Sequence, residues 1–247
     1  MSRCLLVTFM GIITLAGCSS TPDAQSVINR AIENHGGQAY ENSRVSFEFR
    51  DIEYTATHQN GQYTYTRFFP DSLGGIRDSL TNQGFSRTIN GEPANLSFEE
   101  DSMYSNSVNS VIYFALLPHK LNDPAVNKAY LEQTTINGKP YHEIEVTFDQ
   151  QGGGDDYQDR YIYWIHAEDY TMDYLAYRFQ VDGGGTRFRE SKNVRMINGI
   201  RFADYNNFGS PEMEHPLENY ETYFQQDTLS KVSEINLESV QVEILQE

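Results

Sequence analysis

The 247-residue sequence predicts a mainly β protein with two or three helices, in which a curved antiparallel sheet, a half-barrel, wraps an internal helix. Three observations carry this. Asn-Gly pairs recur at 60–61, 90–91, 137–138 and 198–199, and Asn-Gly tolerates the positive φ angles of the tight turn that joins paired strands. Apolar residues alternate with polar ones around them, as strands with one face on a core require. One segment, SVNSVIYFALLPHKL from Ser107, instead has helical spacing and is apolar on nearly every side.

The elements follow in order. Residues 1–17 read as a signal segment: Arg3 supplies the positive start, and Leu5 to Ala16 form an apolar run too short to span a bilayer. The run ends Leu15-Ala16-Gly17-Cys18, which resembles a bacterial lipobox. That resemblance implies cleavage before Cys18, lipid attachment to its sulfur, a tether over 18–22 and one domain over 23–247. By the same likeness to sorting rules, Ser19 and Ser20 imply the outer membrane, and the lack of an acidic tag beyond Asp23 implies a domain facing the periplasm. The next element is a helix. Ala24, Val27, Ile28, Ala31, Ile32 and His35 make one stripe, with Asp23 as N-cap and Gly36-Gly37 as stop.

Strands come next. Val45, Phe47 and Phe49 share a face, as do Ile144, Val146 and Phe148, and Leu175, Tyr177, Phe179 and Val181. The phase slips between Phe49 and Ile52 and between Leu237 and Val240, predicting bulges or bends. Gly183-Gly184-Gly185 closes a further hairpin. The internal helix runs on Val108, Val111, Ile112, Ala115 and Leu116 and ends before Pro118. In Tyr161-Ile162-Tyr163-Trp164-Ile165 both faces are apolar, so both are expected to be covered.

Composition removes several functions. Acidic residues number 35 against 18 basic, which repels nucleic-acid phosphates and anionic lipid. The only cysteines are Cys4, inside the signal segment, and Cys18. The mature chain therefore has no disulfide, no thiol nucleophile and no cysteine zinc site. The membrane is reached through the acyl chains.

Taken together, a lipobox, a helix ending in Gly-Gly, and about ten antiparallel strands interrupted by a helix resemble the lipoprotein-carrier fold of LolA and LolB. That resemblance implies an open half-barrel whose helical plug leaves room for acyl chains. The stretches NSVNSVIYFALLPHKLND, GGGDDYQDRYIYW and GGGTRFRE are similar to an uncharacterised family of Bacteroidota lipoproteins, which brings no established activity. Strands and helices do not alternate as in a TIM barrel.

The candidate chemistry is sparse. Asp155, Asp156 and Asp159 follow three glycines. They could offer oxygen ligands to Ca²⁺, the one cofactor suggested, although EF-hand spacing is missing and the same residues suit a plain turn. Arg187 and Arg189 flank Phe188 and project from one face. On the wet face of an acidic sheet arginines usually pair with Glu or Asp across strands, and the alternative is that these two receive an anionic headgroup or carboxylate. The six histidines are scattered, with no H-E-x-x-H, nucleophile elbow or P-loop.

The aromatics, 17 Tyr and 14 Phe, either complete a solid core or line an apolar cleft. Phe47, Phe49, Ile112, Leu116, Tyr163 and Phe179, with Arg187 and Arg189, are the candidate lining. The first expectation is a non-enzymatic lipoprotein that binds a hydrophobic or amphipathic small ligand. Two alternatives stand beside it: a scaffold with a filled core that binds envelope proteins, and a calcium-dependent or hydrolytic enzyme using the acidic loop.

Overall fold

A computed structural model describes residues 22–151, 157–180, 184–210 and 215–246. Helix α1 spans Ala24–His35, and Asp23 accepts from the Ser26 amide as its N-cap. Its apolar stripe (Val27, Ile28 and Ala31) is buried, as the spacing predicts. The chain then forms β1 (Ser43–Phe49), β2 (Ile52–Gln59), β3 (Gln62–Asp71), β4 (Gly74–Thr81), β5 (Gly84–Ile89) and β6 (Glu92–Pro93). Helix α2 (Phe98–Ala115) interrupts the strands. After it come β7 (Val126–Ile136), β8 (Lys139–Phe148), β9 (Arg160–His166), β10 (Met172–Phe179), β11 (Gly185–Ile197) and β12 (Ile200–Gly209). A short helix α3 (Tyr220–Gln225) precedes β13 (Ser230–Ile235) and β14 (Glu238–Ile244).

The strands form two curved antiparallel sheets rather than one. The first has the order β14-β1-β2-β3-β4-β5-β6, and the second β13-β12-β11-β10-β9-β8-β7. Every connection within a sheet is a meander, and consecutive β13 and β14 hand the chain from one sheet to the other. All four Asn-Gly pairs are two-residue turns with both residues at positive φ, including Asn60 at 53° and Gly61 at 73°.

One slip of phase has a different cause from that expected. Phe49 pairs with Ile52, so residues 50–51 are a hairpin turn, with Arg50 at φ 54° and Asp51 at 61°. A side chain at positive φ is costly, so this turn forms without the glycine that would have marked it. The second slip is a bulge, where the β1–β14 register shifts between Ser46 and Glu48.

Helix α2 lies between the sheets. It begins nine residues earlier than its apolar run predicts, because Ser97 and Glu100 close a reciprocal capping box that satisfies two orphan amides. Its side facing the first sheet is tied down by charge. Asp78 of β4 is fully buried and accepts from Arg67 Nε at 2.5 Å and Arg87 Nε at 2.6 Å. Arg67 also donates to Ser107 Oγ of α2 at 2.6 Å, and the Arg87 guanidinium covers the Tyr104 ring of α2 at 3.4 Å.

The second sheet is covered on both faces, as the 161–165 run predicts. Tyr163 and Ile165 pack inward with α1, whereas Ile162 and Trp164 pack outward with Leu217 and Tyr220. On that outer face Glu143, 1% exposed, stands opposite Trp164, and neither carboxyl oxygen makes a hydrogen bond of normal geometry among the described residues. Burial first, then the neighbouring Glu221, Glu132 and Glu218, push its carboxyl up to about 8.

Candidate functional site

The two sheets and α2 do not fill one another. A partly open cleft of ≈ 450 Å³ lies between α2, the inner face of β10 to β13 and the end of β1. This volume falls within the roughly 300–1,000 Å³ of small-molecule sites. Helix α2 divides its labour by face. Val108, Ile112 and Leu116 are buried against the first sheet, while Val111, Phe114 and Ala115, one turn-face around, form the cleft wall. The opposite wall is Tyr177, Ala203 and Tyr205, and Val232 and Ile235 of β13 form the rim strand.

The charged groups that line the cleft, among the described residues, are all cationic: Arg50, Arg187 and Arg189. Arg189 is 8% exposed, its guanidinium 4.1 Å from the centre of the Phe114 ring and 5.0 Å from that of Tyr177. It donates to the Tyr177 hydroxyl at 2.7 Å. Arg187 donates to the Thr186 carbonyl at 2.7 Å and lies over Phe179. Asn207 donates to Ser233 Oγ at 3.0 Å. Among the described residues neither arginine has a carboxylate partner.

The arginine row therefore differs from expectation in two respects. It lies on the inner face, because Phe188 occupies the outer core beside Trp164. Alternation identifies which residues share a face, but with both faces covered it does not say which face is wet. Cross-strand pairing with acids holds for Arg195, bound to Asp204 at 3.1 Å, and for Arg201, bound to Asp173 at 2.9 Å. It does not hold for Arg187, which opposes Tyr177, or for Arg189, which opposes Leu175 and Asn207.

Of the other candidate lining residues, Phe49 borders the cleft. Phe47, Ile112, Leu116 and Tyr163 lie in the packed core, each at most 3% exposed. Phe179 stands beside the cleft, beneath Arg187. Asp159 is buried near the Tyr161 hydroxyl, 3.4 Å away, while Asp155, Asp156 and Cys18 lie outside the described residues. Among the described residues, no group of three or more His, Cys, Asp or Glu is placed to hold a metal.

The walls that sequence reading missed are Val111, Phe114 and Ala115, which share a helical face, and Tyr177, which alternates with Phe179. Both signals were available. Ala203, Tyr205 and Asn207 of β12 mix small, aromatic and polar residues, and no pattern marks them as a lining.

A second hollow of ≈ 240 Å³ lies on the far side of α2, bordered by Tyr65, Tyr113, Lys120 and Phe148. Near it His58 Nε2 meets the Tyr65 hydroxyl at 2.9 Å, and its ring lies edge-on to His119 at 4.9 Å. Burial, then Lys120, holds His58 down at about 4, and burial, then His58, holds His119 at about 3. Both rings are neutral members of the core.

Two curved antiparallel sheets around a central helix, with a hollow on either side of it, define a protein with the LolA-like fold. The LolA superfamily protein NE2245 of Nitrosomonas europaea superposes with a TM-score of 0.50 at 13% identity, over 92% of this chain and 95% of that one. A DUF1329 family protein of Desulfovibrio piger superposes with a TM-score of 0.54 at 10% identity, over 92% and 96%. No curated protein matches the sequence. Residues 4–237 match DUF6503, a family of unknown function, and the chain belongs to that family.

Proposed function

We propose that this protein is a non-enzymatic cell-envelope lipoprotein that binds a hydrophobic or amphipathic ligand in the cleft between α2 and the second sheet. Its anchor is a lipid on Cys18 at the outer membrane, with the domain facing the periplasm. One observation carries the reading: the partly open ≈ 450 Å³ cleft walled by Val111, Phe114, Tyr177 and Tyr205. The LolA-like fold supports it only as architecture, because one fold hosts many functions. Each methylene moved from water into such a cleft contributes about 0.8 kcal/mol, so burial of the chain is the driving force for binding.

The test is to fill the cleft. Val111 is half-buried on α2 and borders the hollow. Val111→Trp is expected to abolish fluorescence enhancement of the neutral apolar probe N-phenyl-1-naphthylamine, with circular dichroism unchanged. Undiminished probe binding in a folded Val111→Trp would remove the cleft as the binding site.

A further inference from the structure

From the cleft's charge we infer that its ligand is an amphiphile with an oxyanion headgroup, carboxylate or phosphate, seated on Arg189 and Arg187. This inference rests on the cleft being a ligand site and names the class of ligand. The chain as a whole carries 35 acidic and 18 basic residues, yet the lining of the cleft inverts that balance. It includes Arg50, Arg187 and Arg189, and no Asp or Glu among the described residues.

Elsewhere in the described structure, buried arginines have acids. Arg67 and Arg87 share Asp78, and Arg201 has Asp173. Arg189 is equally buried and, among the described residues, has a phenol hydroxyl and two ring faces in place of an acid. Its Nε is enclosed without a hydrogen-bond partner among the described residues. Removing a cation from water without an opposite charge is costly, and ring faces compensate only in part.

An oxyanion entering the cleft would supply the missing partner through charge-assisted hydrogen bonds, which the planar guanidinium is shaped to make. Arg187 is one step along the same face of β11, close enough in register to share that anion. The apolar wall formed by Val111, Phe114 and Ala115 then takes the chain. A free anion would leave this wall wet, and a neutral lipid would leave Arg189 unpaired. Only a molecule with both parts satisfies both surfaces.

The test is calorimetric titration of the full chain, stripped of bound lipid, with decanoate, decyl phosphate, 1-decanol and inorganic phosphate, each below its micellar concentration. Decanoate and decyl phosphate are expected to bind at least about tenfold more tightly than 1-decanol, a difference of about 1.4 kcal/mol. Arg189→Gln should erase that difference while leaving 1-decanol binding in place. Arg187→Gln, at a less buried position, provides the same comparison should Arg189→Gln not fold.

Equal affinity for 1-decanol and decanoate would overturn the headgroup assignment and leave the apolar cleft standing. Inorganic phosphate binding as tightly as decyl phosphate would overturn it in favour of a free-anion site. Binding by none of the four would overturn the headgroup assignment and the cleft reading together.

Discussion

Asp78→Asn is expected to destabilise the protein by about 3–5 kcal/mol, the range for removing one partner of a buried ion pair. The carboxylate is fully buried and holds two arginines, themselves each about 8% exposed. Removing its charge leaves two cations enclosed with no acid among the described residues. For a domain of this size that corresponds to a fall in melting temperature of roughly 6–20 °C. The effect should not stop at stability, because Arg67 and Arg87 also engage Ser107 and Tyr104 of α2, the helix that walls the cleft. Faster amide exchange in α2 than in β8 and β9 should accompany the loss.

The exposed pair Arg44–Glu243, 2.9 Å apart at 52% and 61% side-chain exposure, is the control. Glu243→Gln should change stability by less than about 1 kcal/mol. An Asp78→Asn effect as small as that would refute the role given to this network.

The second large effect is a pH dependence at Glu143. Its carboxyl is raised from 4.5 to about 8 in the folded protein. Between those values the folded state keeps a proton that the unfolded state releases, so this group costs stability as pH rises from 4.5 to 8. Glu143→Gln should therefore be more stable than wild type by an amount that grows across that window, reaching roughly 2–4 kcal/mol near pH 8.

The buried histidines act in the opposite sense. His35, held by burial and Arg201 at about 3, joins His58 and His119 in withdrawing stability as pH falls below about 6.5. Wild type alone thus mixes two opposing slopes, and the difference between wild type and Glu143→Gln isolates one. Chemical denaturation at pH 5, 6, 7 and 8 measures it, and a difference that stays constant with pH would contradict the assignment.

Much of this fold was readable because its signals are local. Asp23 and Gly36 bound α1, and four Asn-Gly pairs fix four hairpins through backbone conformation alone. The turn at Arg50-Asp51 adopts the same conformation without a residue that advertises it. The N-terminal half of α2 is polar and carries exposed residues such as Phe98 and Met103, so hydrophobic spacing says nothing there; the Ser97–Glu100 capping box was the signal. The division into two sheets is a long-range matter, set where β13 and β14 change partners.

The site was legible only in part, for a related reason. Phe47, Ile112 and Tyr163 are chemically what a lining needs and also what a core needs. Whether they meet a hollow depends on how far α2 sits from each sheet, which spacing along the chain does not encode. Arg189 had two readings, wet-face partner of an acid and cleft lining, and it faces the cleft because its apolar neighbour, Phe188, has a second core to occupy.

On the proposed function the space beside α2 is a seat for an oily guest. Native mass spectrometry of the full chain, extracted gently from its own host's membranes, addresses this most directly. Wild-type protein is expected to carry a noncovalently bound amphiphile that is missing from Val111→Trp prepared in the same way. Wild-type protein that arrives bare, or a guest retained equally by Val111→Trp, would contradict it.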